Sequence, residues 1–188
     1  DVLSLSQKSF LWRLATASLH GMRSDCLACP STKAPNQHAV TSCERARQTF
    51  GHLRLWFFRH TTRATPHQRH HYSPSQLWEL DWSGCVSSAH DTALLLLFVI
   101  AKQALYTSLL AKVHDHRVAL KSSQQIATDS ITALHSKANH AIKLDREQHR
   151  QSPYTNNRWY KVLSMNINNI NDDIPSLIFL QQRLNAMV

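Results

Sequence analysis

The chain has 188 residues, and its 21 Lys and Arg outnumber its 12 Asp and Glu to give a formal net charge of +9. Its 3 Gly and 6 Pro supply few of the tight turns that most α/β or all-β folds need, which argues against a compact enzyme of those classes. The charge favours an acidic partner, whether nucleic acid, an anionic lipid surface or an acidic protein. Most of the excess lies between Asp1 and His71, where ten Lys and Arg face three acidic residues.

Residues 1–21 predict an amphipathic N-terminal helix that ends near Gly21. Its apolar side consists of Leu3, Phe10, Leu11, Leu14 and Ala17. The segment is rich in Ser, basic and free of acidic residues after Asp1, which is typical of a mitochondrial presequence and predicts an organellar location. An ordinary helix packed against protein is the alternative. Because the chain begins with Asp rather than Met, we expect a processed or truncated start.

Residues 22–87 predict a basic arm that is largely irregular, because no apolar period is sustained over 22–72. A short helix is expected at 74–83, where Ser73-Pro74-Ser75-Gln76 has the form of a capping box with Pro at the first helical position. A segment that cannot bury a core of its own needs a partner to hold it. The arm therefore indicates contact with other protein subunits.

Three Cys and one His form the sharpest chemical pattern, Cys26-x2-Cys29-x8-His38-x4-Cys43. Three thiolates and an imidazole are the soft ligands that tetrahedral Zn²⁺ takes. The Cys-Cys-His-Cys order resembles that of zinc knuckles, which have a shorter gap before the His and contain glycines that this stretch lacks. A disulfide and unpaired thiols are the alternatives, so the expected cofactor is zinc or none.

Residues 44–72 combine six Arg with the aromatic cluster of Phe50, Trp56, Phe57 and Phe58. Arginine interleaved with aromatic side chains can hold phosphates while bases stack on the rings. The candidate RNA-binding residues are Arg54, Trp56, Phe58 and Arg59. The alternative is a basic extension that lies between acidic protein subunits, with the aromatic side chains as anchors.

Residues 88–150 predict one long helix that starts at Ser88-x-x-Asp91 and is apolar on all sides over 93–111. Residues 92–111 are long enough either to enter a lipid bilayer or to form a core helix inside a protein assembly. From there an alternating spacing of four and three residues predicts a coiled-coil seam. The seam runs through Tyr106, Leu110, Val113, Arg117, Leu120, Gln124, Ala127, Ile131, Leu134, Ala138, Ala141 and Asp145.

Residues 151–188 predict a return helix or helix pair, because Pro153 interrupts the long helix and a second seam of the same spacing follows. That seam runs through Leu163, Ile167, Ile170, Ile174, Leu177, Gln181, Leu184 and Val188. The predicted protein-interaction residues are apolar members of the two seams: Tyr106, Leu110, Val113, Leu120, Ala127, Ile131, Leu134, Leu163, Ile167, Ile170, Ile174, Leu177 and Leu184.

The sequence as a whole predicts a mainly α protein with an extended basic N-terminal arm, a long helix and a helical hairpin or coiled-coil stalk. Nothing in it resembles a nucleophile elbow, a phosphate-binding loop or a catalytic metal helix, so no catalytic residue is proposed. The leading hypothesis is a non-catalytic accessory subunit of a large, organellar, multi-protein assembly, with a bilayer as a further possible partner. The alternative is an RNA-binding subunit of a ribonucleoprotein such as an organellar ribosome.

Overall fold

The computed structural model of the chain describes residues 3–16, 18–19, 25–26, 29–33, 38–60, 89–148 and 159–163. Strands β1 (Asp25–Cys26) and β2 (Cys29–Lys33) form a small antiparallel ribbon. The helices are α1 (Leu5–Ala15), α2 (His38–Thr41), α3 (Glu44–His60), α4 (Ala89–His114) and α5 (Ser123–Gln148), with a 3-10 turn at Trp159–Val162. The predicted mainly α fold is confirmed.

Helix α4 lies in the middle of the described fold, where it contacts α1, α2, α3, α5 and the 3-10 turn. Leu94, Leu97 and Leu105 are almost wholly buried. Lys102 is 0% exposed, and its Nζ lies 6.0 Å from the centroid of the Phe50 ring on α3. A helix with neighbours on several sides buries several of its faces, which explains why the sequence is apolar all round.

By length and composition, α4 is also the one helix among the described residues that could cross a membrane. In the structure, 67% of its most apolar window is buried inside the protein. Packing within the chain therefore covers most of the apolar surface that suggested a bilayer. The lipid contact through residues 92–111 stays a prediction.

The single helix predicted over 88–150 is corrected to two helices, α4 and α5, which pack against each other. Residues 115–122 join them. The backbone N–H of Arg117 donates to a side-chain oxygen of Asp115 at 2.8 Å, which holds a turn. A capping box then starts α5, because Ser122 and Gln125 each accept a hydrogen bond from the other's backbone N–H, at 3.1 and 2.8 Å. The long rod is replaced by a helical hairpin.

The predicted seam matches the buried face of α5 better than that of α4. Ala127, Ile131, Leu134 and Ala138 are buried, whereas Tyr106, Leu110 and Val113 on α4 are only partly buried. On α4 the neighbouring positions Leu105 and Leu109 are buried instead. The predicted seam continues without a break through residues 115–122, where the structure has a turn between the two helices. One seam register therefore cannot describe the buried faces of both α4 and α5. Leu120 is half-buried and Leu163 is buried, and the rest of the second seam lies outside the described residues.

The arm predicted over 22–87 contains a regular helix, α3, which corrects the irregular structure expected there. Its buried residues recur every three or four positions, as in an amphipathic helix: Ala46, Phe50, Leu53, Trp56 and Phe57. The period was obscured by the Arg and His residues between them. The predicted short helix at 74–83 lies outside the described residues, and so does the return helix at 151–188 apart from residues 159–163.

Helix α1 begins with a capping box formed by Ser4 and Gln7. Phe10 and Leu14 are buried, and the Phe10 ring lies 5.7 Å from the ring of Tyr106 on α4. Lys137 on α5 donates a hydrogen bond from Nζ to Oε1 of Gln7 at 2.8 Å. The apolar side of this helix is therefore turned toward the α4–α5 hairpin.

Candidate metal centre

The two-stranded ribbon brings Cys26 and Cys29 together. Cys26 ends β1, Cys29 begins β2, and the two residues are direct partners in the antiparallel pairing. The two intervening residues leave the chain just enough length to reverse. The Cys-x2-Cys spacing thus presents two thiols on one turn, as the sequence predicts.

The short helix α2 begins at His38, and Cys43 lies two residues after its end. The backbone N–H groups of Ser42 and Cys43 both donate to the carbonyl of His38, at 3.0 and 2.8 Å. The carbonyl of Cys43 accepts from the N–H of Arg47 at 2.9 Å, so Cys43 forms the N-terminal boundary of α3. This compact turn holds His38 and Cys43 on the same side as the ribbon.

The four side chains converge: the ligand atoms of Cys26, Cys29, His38 and Cys43 all lie within 4.8 Å of one another. The Sγ atoms of Cys26 and Cys43 are 3.7 Å apart, and those of Cys29 and Cys43 are 3.2 Å apart. A tetrahedral ion with Zn–S bonds of about 2.3 Å requires a sulfur–sulfur separation of about 3.8 Å. The first distance fits, and the second needs a shift of about half an ångström.

The imidazole of His38 is oriented as a metal ligand. Its Nδ1 lies 2.9 Å from the hydroxyl of Ser42. Its Nε2 is buried and has no hydrogen-bond partner among the residues that the structure describes. When Nδ1 carries the proton and donates to Ser42, Nε2 keeps a free lone pair for a metal. A buried nitrogen without a partner is costly, and coordination would remove that cost.

The pKa values of Cys29 and Cys43 are shifted in opposite directions within the cluster. The pKa of Cys29 is lowered, chiefly by its hydrogen bond with the Cys43 side chain and further by the backbone N–H of Glu44. Burial, together with the same bond to Cys29, raises the pKa of the Cys43 thiol from 9.0 to about 12, against the backbone N–H of Arg45. Without a metal, Cys43 therefore holds its proton more strongly than Cys29 does. A cation among the sulfurs would displace that proton.

The chemistry of the donor set fits zinc. Three thiolates and one imidazole complete a tetrahedral Cys₃His site with no position left open, which is typical of structural rather than catalytic zinc. The three cysteines are unbridged, and their sulfurs are well beyond the roughly 2.05 Å of a disulfide bond. The structure therefore brings together all four residues that the sequence nominates.

The candidate RNA-binding residues all lie on α3, and the described side chains differ in their exposure to solvent. Trp56 is only 5% exposed, with its ring 5.1 Å from that of His60 and 5.6 Å from that of His135. Other residues of the chain therefore cover most of this ring, and the RNA contact of Trp56 stays a prediction. Arg54 is half-buried and Arg59 is exposed, and the side chain of Phe58 lies outside what the structure describes.

Sequence reasoning did not single out Arg45, two residues after Cys43. Its Nε, Nη1 and Nη2 atoms are all buried. Burial lowers the pKa of Arg45, and the negative charges of Cys43 and Cys26 act in the opposite direction. A basic residue at the first turn of a helix that follows a metal-ligand motif is the signal that could have identified it.

Comparisons with protein-family models, with curated proteins and with solved structures give no match for this chain.

Proposed function

We propose that the chain is a non-catalytic structural protein in which Cys26, Cys29, His38 and Cys43 hold one zinc ion, and that it serves as an accessory subunit of a larger assembly. The observation that carries this proposal is the convergence of the four ligand atoms within 4.8 Å. A closed set of four protein ligands leaves no position for a substrate or for an activated water.

The ion would tie the β ribbon and α2 to the start of α3. Among the side chains that the structure describes between 25 and 43, few large apolar ones are buried, and Val40 is the largest that is fully buried. Where a segment this small lacks a core, a structural metal supplies folding free energy through bonds to its ligands. Apolar packing of α3 on α4 and α5 would then attach the metal-bound segment to the helical bundle.

The accessory-subunit role is supported by one exposed side of α1. Leu5 is 85% exposed and Trp12 is 65% exposed, and a spacing of seven residues puts both on the same side of a helix. Lys8 and Arg13 add positive charge beside them. A large aromatic side chain and basic neighbours suit an acidic protein surface. An organellar location is a further part of the proposal, and the basic, Ser-rich N-terminal segment supports it.

Metal analysis of the purified full chain tests the zinc site. We expect one zinc per chain in the wild type and none above background in a Cys26→Ser/Cys29→Ser double variant, because two of the four ligands are gone. Cys85→Ser changes the remaining cysteine of the sequence and is the matched control. Equal zinc in the wild type and the double variant would show that the ion is bound elsewhere and would end the proposal.

A further inference from the structure

The sulfurs of Cys29 and Cys43 are closer to each other than a tetrahedral zinc site requires. They lie 3.2 Å apart, whereas the sulfurs of Cys43 and Cys26 are 3.7 Å apart. Two thiolates on one zinc ion are separated by about 3.8 Å, and the two sulfurs of a disulfide by about 2.05 Å. The Cys29–Cys43 pair must therefore open to take a metal, whereas it must close to form a disulfide.

The cysteines of this cluster differ in their access to solvent. Cys29 is partly exposed, whereas Cys43 is 1% exposed and Cys26 is 6% exposed. An oxidant that arrives from solvent therefore reaches Cys29 first. Cysteines that respond to oxidation are typically accessible and lie next to a second cysteine, which converts the first oxidation product to a disulfide. Cys29 beside Cys43 has both properties.

We propose that Cys29 and Cys43 are a redox pair that a peroxide converts to a disulfide, and that this disulfide prevents the site from holding zinc. This inference rests on the zinc site proposed above. A sulfur in a disulfide no longer has the thiolate form that binds metal, so Cys26 and His38 are the ligands that remain. Two ligands do not complete a structural zinc site. The cluster therefore holds a metal under reducing conditions and a covalent bond under oxidising ones.

The reaction in the metal-free chain has two steps, with hydrogen peroxide as the oxidant. The Cys29 sulfur attacks one peroxide oxygen, the O–O bond breaks, and the products are a sulfenic acid on Cys29 and one water. The Cys43 sulfur then attacks the Cys29 sulfur, the S–O bond breaks, and the hydroxide leaves as water with the proton of the Cys43 thiol. In total, two thiols lose two electrons and two protons, and one peroxide becomes two waters.

The test treats the metal-free full chain with hydrogen peroxide, removes the peroxide and then offers Zn²⁺. Mass spectrometry without reduction should show the loss of two hydrogens, and peptide fragmentation should place the new bond between Cys29 and Cys43. Zinc uptake should fall from one ion per chain in the untreated protein to none above background, and a dithiol reductant should restore it. Cys85→Ser changes the cysteine outside the cluster and should respond as the wild type does.

Two matched variants and a denatured control test the pairing itself. Cys26→Ser and Cys29→Ser each remove one thiol of the β ribbon, but the second alone removes a member of the pair. Cys26→Ser should form the Cys29–Cys43 bond as the wild type does, whereas Cys29→Ser should lose most of its disulfide because its remaining sulfurs are buried and farther apart. In urea the wild type should form Cys26–Cys29 instead, because the shorter loop closes more readily in an unfolded chain.

The outcomes distinguish this inference from the proposed function. An untreated wild type that takes up no zinc contradicts the metal site itself. Where the untreated wild type does bind zinc, three results overturn the redox pair alone. These are a Cys26–Cys29 disulfide as the main product in the folded chain, a Cys29→Ser variant that oxidises as readily as the wild type, and an oxidised chain that still takes up one zinc.

Discussion

Lys137 joins helices α5 and α1 through a polar contact. Its Nζ donates to Oε1 of Gln7 at 2.8 Å, and Gln7 also closes the capping box at the start of α1. Burial of the Lys137 side chain lowers its pKa from the usual 10.5. The lysine therefore connects α5 to α1, but its charged form is destabilised because the side chain is partly removed from water.

This pKa shift makes stability depend on pH in a defined direction. Since the pKa of Lys137 is lower in the folded than in the unfolded chain, the cost of its charge is fully present below the folded pKa. That cost disappears as pH rises through the folded pKa toward 10.5. Between about pH 7 and pH 10.5, the wild type should therefore gain stability relative to Lys137→Met. Urea unfolding of both proteins at the two pH values measures this gain.

Lys143→Met, at an exposed position on the same helix, is the control for the change of charge. If the difference between the wild type and Lys137→Met stays constant over this range, burial of Lys137 carries no pH dependence and the prediction fails.

At the scale of elements, the start of α5 decides whether the chain has a rod or a hairpin. Ser122 sits at the N-terminal boundary of this helix and forms a capping box with Gln125. The same sequence, read as the interior of one long helix, would give Ser122 an ordinary helical position. A hairpin and a continuous helix therefore predict changes in stability of opposite sign when Ser122 is replaced by alanine.

We predict that Ser122→Ala destabilises the protein by about 1 kcal/mol, because an alanine cannot cap the backbone N–H groups of the first turn. In a continuous helix the same change would stabilise slightly, since Ala has the highest helix propensity. Ser136→Ala, at an exposed position inside α5, is the control and should be neutral or slightly stabilising. The free energy of unfolding in urea gives the sign, and a stabilised Ser122→Ala protein would contradict the hairpin.

At the scale of the whole molecule, most of the described apolar side chains pack around α4, and α1 presents the clearest exception. Leu5 and Trp12 point away from the hairpin while Phe10 and Leu14 of the same helix pack against it. An exposed tryptophan is unusual on a surface that is to stay in water, and a partner would bury it.

We therefore expect Leu5→Ser/Trp12→Ser to release the chain from its assembly without unfolding it. Native sedimentation of the tagged full chain from its source cells measures this release as a shift to smaller size. Leu144→Ser is the control, because Leu144 is an exposed leucine on α5 rather than on α1. Unchanged sedimentation of the double variant would remove α1 as the contact surface, and a wild-type chain that sediments alone would contradict the accessory-subunit role.

Much of the candidate site could be predicted because its ligands are close in sequence. Cys26 and Cys29 are paired residues of two adjacent strands, and His38 begins α2 while Cys43 immediately precedes α3, so local geometry is enough to bring each pair together. Arg45 could not be recognised in this way. Its guanidinium nitrogens are buried, and a sequence does not state which of two neighbouring arginines is shielded from water.

The sequence by itself determined that the chain is mainly α, because few glycines and the helical spacing of apolar residues are local properties. The capping box of Ser122 and Gln125 was identified in the structure, because the predicted seam continues through residues 115–122 without a break. Only the tertiary structure decided what covers each apolar face. The hydrophobic effect favours the removal of apolar surface from water, whatever covers that surface. The apolar surface of α4 is therefore compatible with lipid as well as protein, and the ring of Trp56 is compatible with a base as well as protein. In the described fold these faces are instead buried against other helices of the same chain.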